Sequence, residues 1–412
     1  MKYIVLLGDG MADYPLPELE GKTPLMAALT PSMDFLARKG ALGRVQTVPE
    51  SLDPGSDVAN LSVLGYDPAL FYSGRAPLEA ASMKIRLDAD DVAFRCNLVT
   101  LEEKDGHLFM EDYSAGHISN EDAHALIKIL NDALSDEQFS FYPGVSYRHL
   151  MIWKSGISGL MTTPPHDITG KEIKPYLPQG KGSERLKDLM EKSRKILLKT
   201  SVNERRQQRG DKVVSSIWLW GQGKSLTIPS FKEKYNCSGA VISAVDLIKG
   251  IGLASGLEPI DVPGATGFLD TNYYGKAEYA INALHEKDFV FVHVEAPDEA
   301  GHNGNFKDKI KAIEEFDEKV VGTILTKIKQ FPAYRILVLP DHATPIQKKT
   351  HASDPVPFVI YPSPEDAVQQ ESSLSFDEES AATTGLFFAQ GHKLMDYFIF
   401  GKREQKTMQL RY

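Results

Sequence analysis

Three short apolar runs in this sequence each end on the kinds of side chain that bind divalent metal ions. The run IVLLGDG ends at Asp9. The stretch FVFVHVEAPDEAGH reaches Asp298 and, four residues on, His302. The run ILVLPDH closes on Asp341 and His342, with His351 nine residues later. Carboxylate oxygen mixed with imidazole nitrogen suits Mn²⁺ or Zn²⁺ rather than Ca²⁺. Each piece alone has an ordinary explanation: a turn-capping Asp, a plain i, i+4 pair on a helix face, a surface Asp-His dipeptide. Three such pieces at three strand ends favour metal. Glu295 and Glu299 read as outer groups beside the ligands, or as surface groups. Six groups suffice for two ions, and two-ion sites stabilise the attacking and leaving oxygens of phosphoryl transfer. SLDPGSDVANLSVLGYDP offers a nucleophile, Ser56, at the amino end of an expected helix. There unpaired N–H groups and the helix dipole favour an anion, and metal binding would make the alkoxide accessible near neutral pH. The ordinary alternative is a helix-capping serine.

Holding these groups together calls for an α/β fold. Tyr3–Leu7, Phe289–Val294 and Arg335–Leu339 are short, uniformly apolar runs, as strands buried on both faces should be. Helical patterns lie at Pro31–Arg38, Asp57–Leu64, Gly239–Ile251 and Lys307–Lys327. The order implies a mostly parallel sheet, whose functional loops lie beyond the carboxyl ends of its strands. The middle differs: mixed short strands, a polar helix Asn120–Leu130, and the basic run KDLMEKSRKILLKTSVNERRQQRG, read as a solvated helix and linker. We therefore expect a core domain from 1–87 and 212–412, with 88–211 inserted as a smaller α+β lid. Ser375 and Glu378 have capping-box spacing for a last helix.

The 412 residues can bury a real core, and 46 basic against 56 acidic residues argue against a nucleic-acid or anionic-membrane surface. A small basic pocket for an anionic substrate remains compatible with that balance. Cys96 and Cys237 make neither a disulfide framework nor a zinc cluster, which points to a reducing compartment. The apolar stretch before Gly8 is too short for a signal-peptide core or a membrane span, so the expected location is the cytoplasm. Nothing in the sequence bears on oligomeric state.

The ligand runs, with GSDVAN, PDEAGH and PDHATP, resemble the alkaline phosphatase superfamily. The flanking text YSGRAPLEAAS, FRCNLVT, GAVISAVDLIKGIG, PGATGFLDTNYYGKA and FVHVEAPDEAGH resembles the cofactor-independent phosphoglycerate mutases of the archaeal type, over nearly the whole chain. The resemblance implies an alkaline-phosphatase-like, mostly parallel sheet sandwiched by helices. It implies one ion on Asp298, His302 and His351, and a second on Asp9, Ser56, Asp341 and His342. Mn²⁺ is the first choice, with Zn²⁺, Co²⁺ and Mg²⁺ as alternatives. The implied reaction interconverts 3-phosphoglycerate and 2-phosphoglycerate through a phosphoserine at Ser56, without 2,3-bisphosphoglycerate. A phosphoserine that must await glycerate has to be kept from water, which gives the lid a task. The phosphate and carboxylate of such a substrate require cations. Arg148, Lys224 and Lys276 are the candidates, with Arg75 and Arg95 behind them and Asn97 and Asp167 as weaker ones. His117 resembles the family's proton-shuttling histidine, with His166 as runner-up for the general acid. Two other readings share this scaffold: a homoserine-kinase-like phosphotransferase, and a hydrolase of phosphate or sulfate esters.

Overall fold

The structure, a computed structural model, describes residues 1–362 and 373–408. The chain forms two compact units, Met1–Tyr72 with Thr227–Tyr412, and Ser73–Leu226. The expected insertion, 88–211, falls inside the second. Among the described residues thirteen strands occur: β1 (Lys2–Gly8) and β2 (Ala41–Val45) in the first unit; β3 (Val92–Lys104), β4 (His107–Asp112), β5 (Phe139–Val145), β6 (Arg148–Trp153) and β7 (Ser216–Lys224) in the second; then β8 (Gly239–Ile242), β9 (Glu258–Pro259), β10 (Phe289–Val294), β11 (Tyr334–Leu339), β12 (Val356–Tyr361) and β13 (Phe387–Phe388) in the first again.

The first unit is an α/β layer structure around one sheet, in the order β13-β2-β12-β11-β1-β10-β8-β9. Only β12 runs against the rest. Alternate residues of its strands point to opposite faces, and helices cover both. Ile4, Leu6, Val290 and Val292 join Met33, Leu36, Ile313, Val320 and Ile324 in one buried cluster. On the other face Tyr3 meets Phe398, and Phe289 stacks on Phe231 with ring centres 4.2 Å apart. Parallel pairing fixes the site. Gly8 is level with Val294 and Leu7 with Leu339, so Asp9, Glu295 and Asp341 leave their strands at neighbouring heights.

The second unit is α+β. A five-stranded antiparallel sheet is built around the long β3, which pairs with β4, β6 and β7. Its core takes in Leu126, Leu130, Leu186, Leu189, Met190, Leu197 and Val202 from the helices Asn120–Leu134, Ser183–Leu197 and Ser201–Gln208.

Three sequence expectations need correction. The run Gly239–Ile251 is not one helix: GAVI is the buried strand β8, and the helix starts at Asp246. The basic run at 187–210 is no linker, because its two helices bury an apolar seam under charged stems. Ser375 does not cap the helix Glu378–Thr383. Asp377 caps it, accepting from Ser380 N, while Glu378 accepts from Asp13 N and Thr23 Oγ1.

Candidate active-site residues

In the first unit all seven expected ligand residues come together. Asp9, Asp341 and His342 are fully buried. Asp298 stands in the helix Ala296–His302, and its i, i+4 spacing brings His302 Nε2 to 3.1 Å from Asp298 Oδ2. His351 Nε2 lies 3.7 Å from Asp298 Oδ1 and 3.0 Å from His302 Nε2. The Lys349 carbonyl accepts from His302 Nδ1 at 3.0 Å, which turns Nε2 toward the cluster. Ser56 opens the helix Ser56–Val63, half-buried, with Oγ 3.2 Å from His342 Nε2. His342 Nε2 in turn lies 3.5 Å from both Asp9 Oδ1 and Asp341 Oδ2. His342 also falls within ligand range of Asp298 and His351, so the groups form one continuous cluster.

The electrostatics of this cluster call for positive charge. Burial, then Asp341, Glu295 and Asp298, push the Asp9 carboxyl well above its usual range. Burial and Asp298 raise Glu295 to about 8. Burial alone would also raise Asp298, but hydrogen bonds from His302 and His351 reverse the sign and hold it low. His302, bonded to Asp298, rises to about 9. Asp9 Oδ1 and Glu295 Oε2 are buried acceptors with no hydrogen-bond partner among the described residues. Orphaned carboxylate oxygens beside three imidazoles are a donor set that fits divalent metal.

Sequence reasoning missed several supporting groups. His293 gives its Nε2 to Asp9 Oδ2 at 2.9 Å and is held at Nδ1 by Ser243 Oγ at 3.2 Å. An imidazole inside the apolar strand FVFVHV was the available signal. Asn60, one turn after Ser56, donates to Asp341 Oδ2 and to the Ser56 carbonyl, each at 2.8 Å. The fully buried Lys309 donates to Asp13 Oδ2 at 2.6 Å and to the carbonyls of Thr344 and Ala12. It ties the loop after β1 to the loop after β11. Lys276 is buried as well, its Nζ 2.9 Å from the His293 carbonyl, with a pKa lowered by burial to about 8.

In the second unit most of the remaining candidates gather on one face. The Arg95 guanidinium lies 4.2 Å from the Trp220 ring centre, and its Nε is 3.1 Å from Glu79, which also meets Arg75 at 3.3 Å. His166 packs edge-on to Trp220 and Tyr113, and His117 to Tyr113 and Tyr147. Arg148 lies over Tyr147. Asn97 accepts from Trp220 Nε1 at 3.0 Å and donates to the Tyr113 carbonyl. Asp167 is exposed beside His166. Lys224 stands apart from this group: it ends β7 in an ion pair with the exposed Asp90. Glu79, Tyr113, Tyr147 and Trp220 were not foreseen.

Comparison with known proteins finds relatives over nearly the whole chain. The family model of 2,3-bisphosphoglycerate-independent phosphoglycerate mutase matches residues 37–203. The chain is 53% identical to the probable 2,3-bisphosphoglycerate-independent phosphoglycerate mutase of Geobacter sulfurreducens, over 97% of this chain and all of that one. It is 54% identical to the corresponding mutase of Methanosarcina barkeri, over 98% of this chain and all of that one. Among solved structures it is similar to a Pyrococcus horikoshii protein, with 30% identity, 96% of each chain covered and a TM-score of 0.81. It is also similar to the cofactor-independent phosphoglycerate mutase of Thermoplasma acidophilum, with 28% identity, both chains fully covered and a TM-score of 0.66.

Proposed function

The chain belongs to the 2,3-bisphosphoglycerate-independent phosphoglycerate mutases, and from that premise we propose that it interconverts 3-phosphoglycerate and 2-phosphoglycerate through a phosphoserine at Ser56. The observation that carries this is the placement of Ser56: it is half-buried, opens a helix, and sets its hydroxyl against His342 amid buried carboxylates. Asp298, His302 and His351 would hold one divalent ion, and Asp9, Asp341, His342 and Ser56 the other, with Mn²⁺ the first choice. Bound there, such ions supply Lewis-acid stabilisation of the attacking and leaving oxygens.

In the forward direction the bond between phosphorus and O3 of the substrate breaks as the bond to Ser56 Oγ forms. The departing O3 takes a proton, which we assign to His117, with His166 as alternate. The glycerate then reorients, its O2 hydroxyl returns a proton to the same histidine as O2 attacks the phosphoserine, and Ser56 Oγ leaves as the alkoxide it began as. Arg75, Arg95, Arg148 and Asn97 bind and orient the carboxylate and phosphate. Lys276 is the corresponding candidate in the first unit. The inserted unit's task as a lid belongs to the same reading and is argued from chemistry: without exclusion of water the phosphoserine would hydrolyse. A cytoplasmic location is also part of it. Two free cysteines fit a reducing compartment, and among the described residues no helix is long and apolar enough to cross a membrane.

The test is purified protein with Mn²⁺ and 3-phosphoglycerate, product read through enolase, with no bisphosphoglycerate added. Parallel assays offer homoserine with ATP and score phosphate release. Turnover that strictly needs the bisphosphate, or that yields only free phosphate or phosphohomoserine, would overturn the mutase reading.

A further inference from the structure

The cationic face holds a half-buried carboxylate that the proposed reaction does not use. Glu79 lies in the helix Ala76–Ser82, its side chain 18% exposed. It meets two arginines, and both present the same atom. Arg95 Nε is 3.1 Å from Oε1 and 3.2 Å from Oε2. Arg75, one turn earlier, places its Nε 3.3 Å from Oε1. A guanidinium has two edges that can meet a carboxylate, one of them carrying Nε. Here Arg95 turns its Nε edge onto Glu79 in a hydrogen bond, whereas Arg75 Nε comes within ion-pair distance without making one. Arg95 is also fixed from its face by Trp220, and among the described residues its terminal nitrogens make no hydrogen bond. With Arg148 close by, the face carries an excess of positive charge that this carboxylate partly offsets.

We propose that Glu79 is a positioning residue for substrate: by holding Arg95 at Nε, with Arg75 in ion-pair range beside it, it aims the terminal nitrogens of Arg95 at an anionic group and limits how tightly that anion is held. This rests on reading the face as the substrate-recognising part of the enzyme. The two tasks pull the kinetics in opposite directions. Removing the negative charge strengthens attraction for an anion, whereas losing the aim slows turnover. A staple that only held the unit together would lower the folded fraction, and so kcat, without moving KM.

The test compares Glu79→Gln, Glu79→Asp and Arg95→Leu in the full chain with Mn²⁺, by steady-state kinetics on 3-phosphoglycerate. Glu79→Gln keeps the reach and drops the charge, so KM should fall about threefold while kcat falls about tenfold. Glu79→Asp keeps the charge but is too short to reach both arginines. Its kcat should fall by a similar factor with no fall in KM. Arg95→Leu should raise KM about tenfold or more. If Arg95→Leu raises KM but Glu79→Gln keeps kcat within about twofold, or loses kcat with KM unmoved, Glu79 has no positioning role and the substrate reading stands. If Arg95→Leu leaves KM unchanged, the reading of the face fails and the role of Glu79 goes with it.

Discussion

The two units concentrate opposite charges and hold them by opposite means. In the first, Asp9, Asp298 and Asp341 are buried just beyond the ends of β1, β10 and β11, and burial together with mutual repulsion lifts Asp9 and Glu295. In the second, Arg75, Arg95, Arg148 and two histidines share a face lined with aromatic rings, and Arg148, His117 and His166 are exposed. The arginines find part of their compensation within the chain, in Glu79 and in ring faces. The carboxylates have imidazoles but leave buried acceptor oxygens unpaired. A buried anionic cluster short of cations signals an external metal, and an accessible cationic face signals an anionic ligand.

The largest expected effect separates chemistry from recognition. Ser56→Ala should lower kcat by about a thousandfold or more, roughly 4 kcal/mol of barrier, with the fold unchanged. A residual rate above about a tenth of wild type would mean that Ser56 is not the nucleophile. Next comes metal content, read by elemental analysis after dialysis. Asp298→Asn and His302→Ala should each lose one equivalent per chain, and the double variant no further ion, because the two side chains meet at 3.1 Å. Glu299→Gln should keep both ions. Loss of a full equivalent there, with retention in Asp298→Asn, would show that the wrong carboxylate had been chosen.

These two sets differed in how far the sequence disclosed them. The metal cluster was legible because a parallel sheet delivers its strand ends to one edge, so an apolar run followed by Asp or His already marks a location. The cationic face depends on antiparallel register: Arg95 opposite Trp220 on one side and Leu150 on the other, Asn97 opposite Arg148. No local pattern states that register. Lys224 is a candidate by its charge alone, and its strand carries it to Asp90. His293 escaped notice because an imidazole in a buried strand reads as core until its partner, Asp9, is known. Gly239–Ile242 passed for helix because a four-residue apolar run of small side chains has no decisive period.

A third test contrasts the buried clamp with the surface. Lys309→Met leaves Asp13 buried without its cation and should cost about 3–5 kcal/mol. Asp13 also accepts from Ile346 N, so the loops carrying Asp9 and His342 should loosen and metal affinity should fall. Lys128→Ala breaks a pair whose side chains are 77% and 65% exposed and should cost about 0.5 kcal/mol or less. Calorimetry on the two variants decides: comparable losses would deny that Lys309 holds the metal loops.

The smallest effect uses pH to address the second unit alone. All three tryptophans, Trp153, Trp218 and Trp220, lie in that unit, so their fluorescence reports its unfolding and not that of the metal-bearing unit. His149 on β6 is 2% exposed, takes a hydrogen bond from Gly144 N at Nδ1, and has no partner at Nε2 among the described residues. Burial, with His124 adding repulsion, lowers its pKa from 6.5 to about 3. A histidine with a depressed folded-state pKa contributes stability that is complete above 6.5 and is lost as pH falls toward 3, because only the unfolded chain takes up the proton. The second unit should therefore lose about 1.4 kcal/mol per pH unit below 6.5 from this residue. His149→Gln, which keeps an acceptor for Gly144 N and cannot take up that proton, should flatten the slope by that amount. Urea titrations followed by tryptophan fluorescence at pH 7, 6 and 5 make the measurement. Equal slopes in wild type and His149→Gln would mean that the buried imidazole is not what makes this unit acid-sensitive.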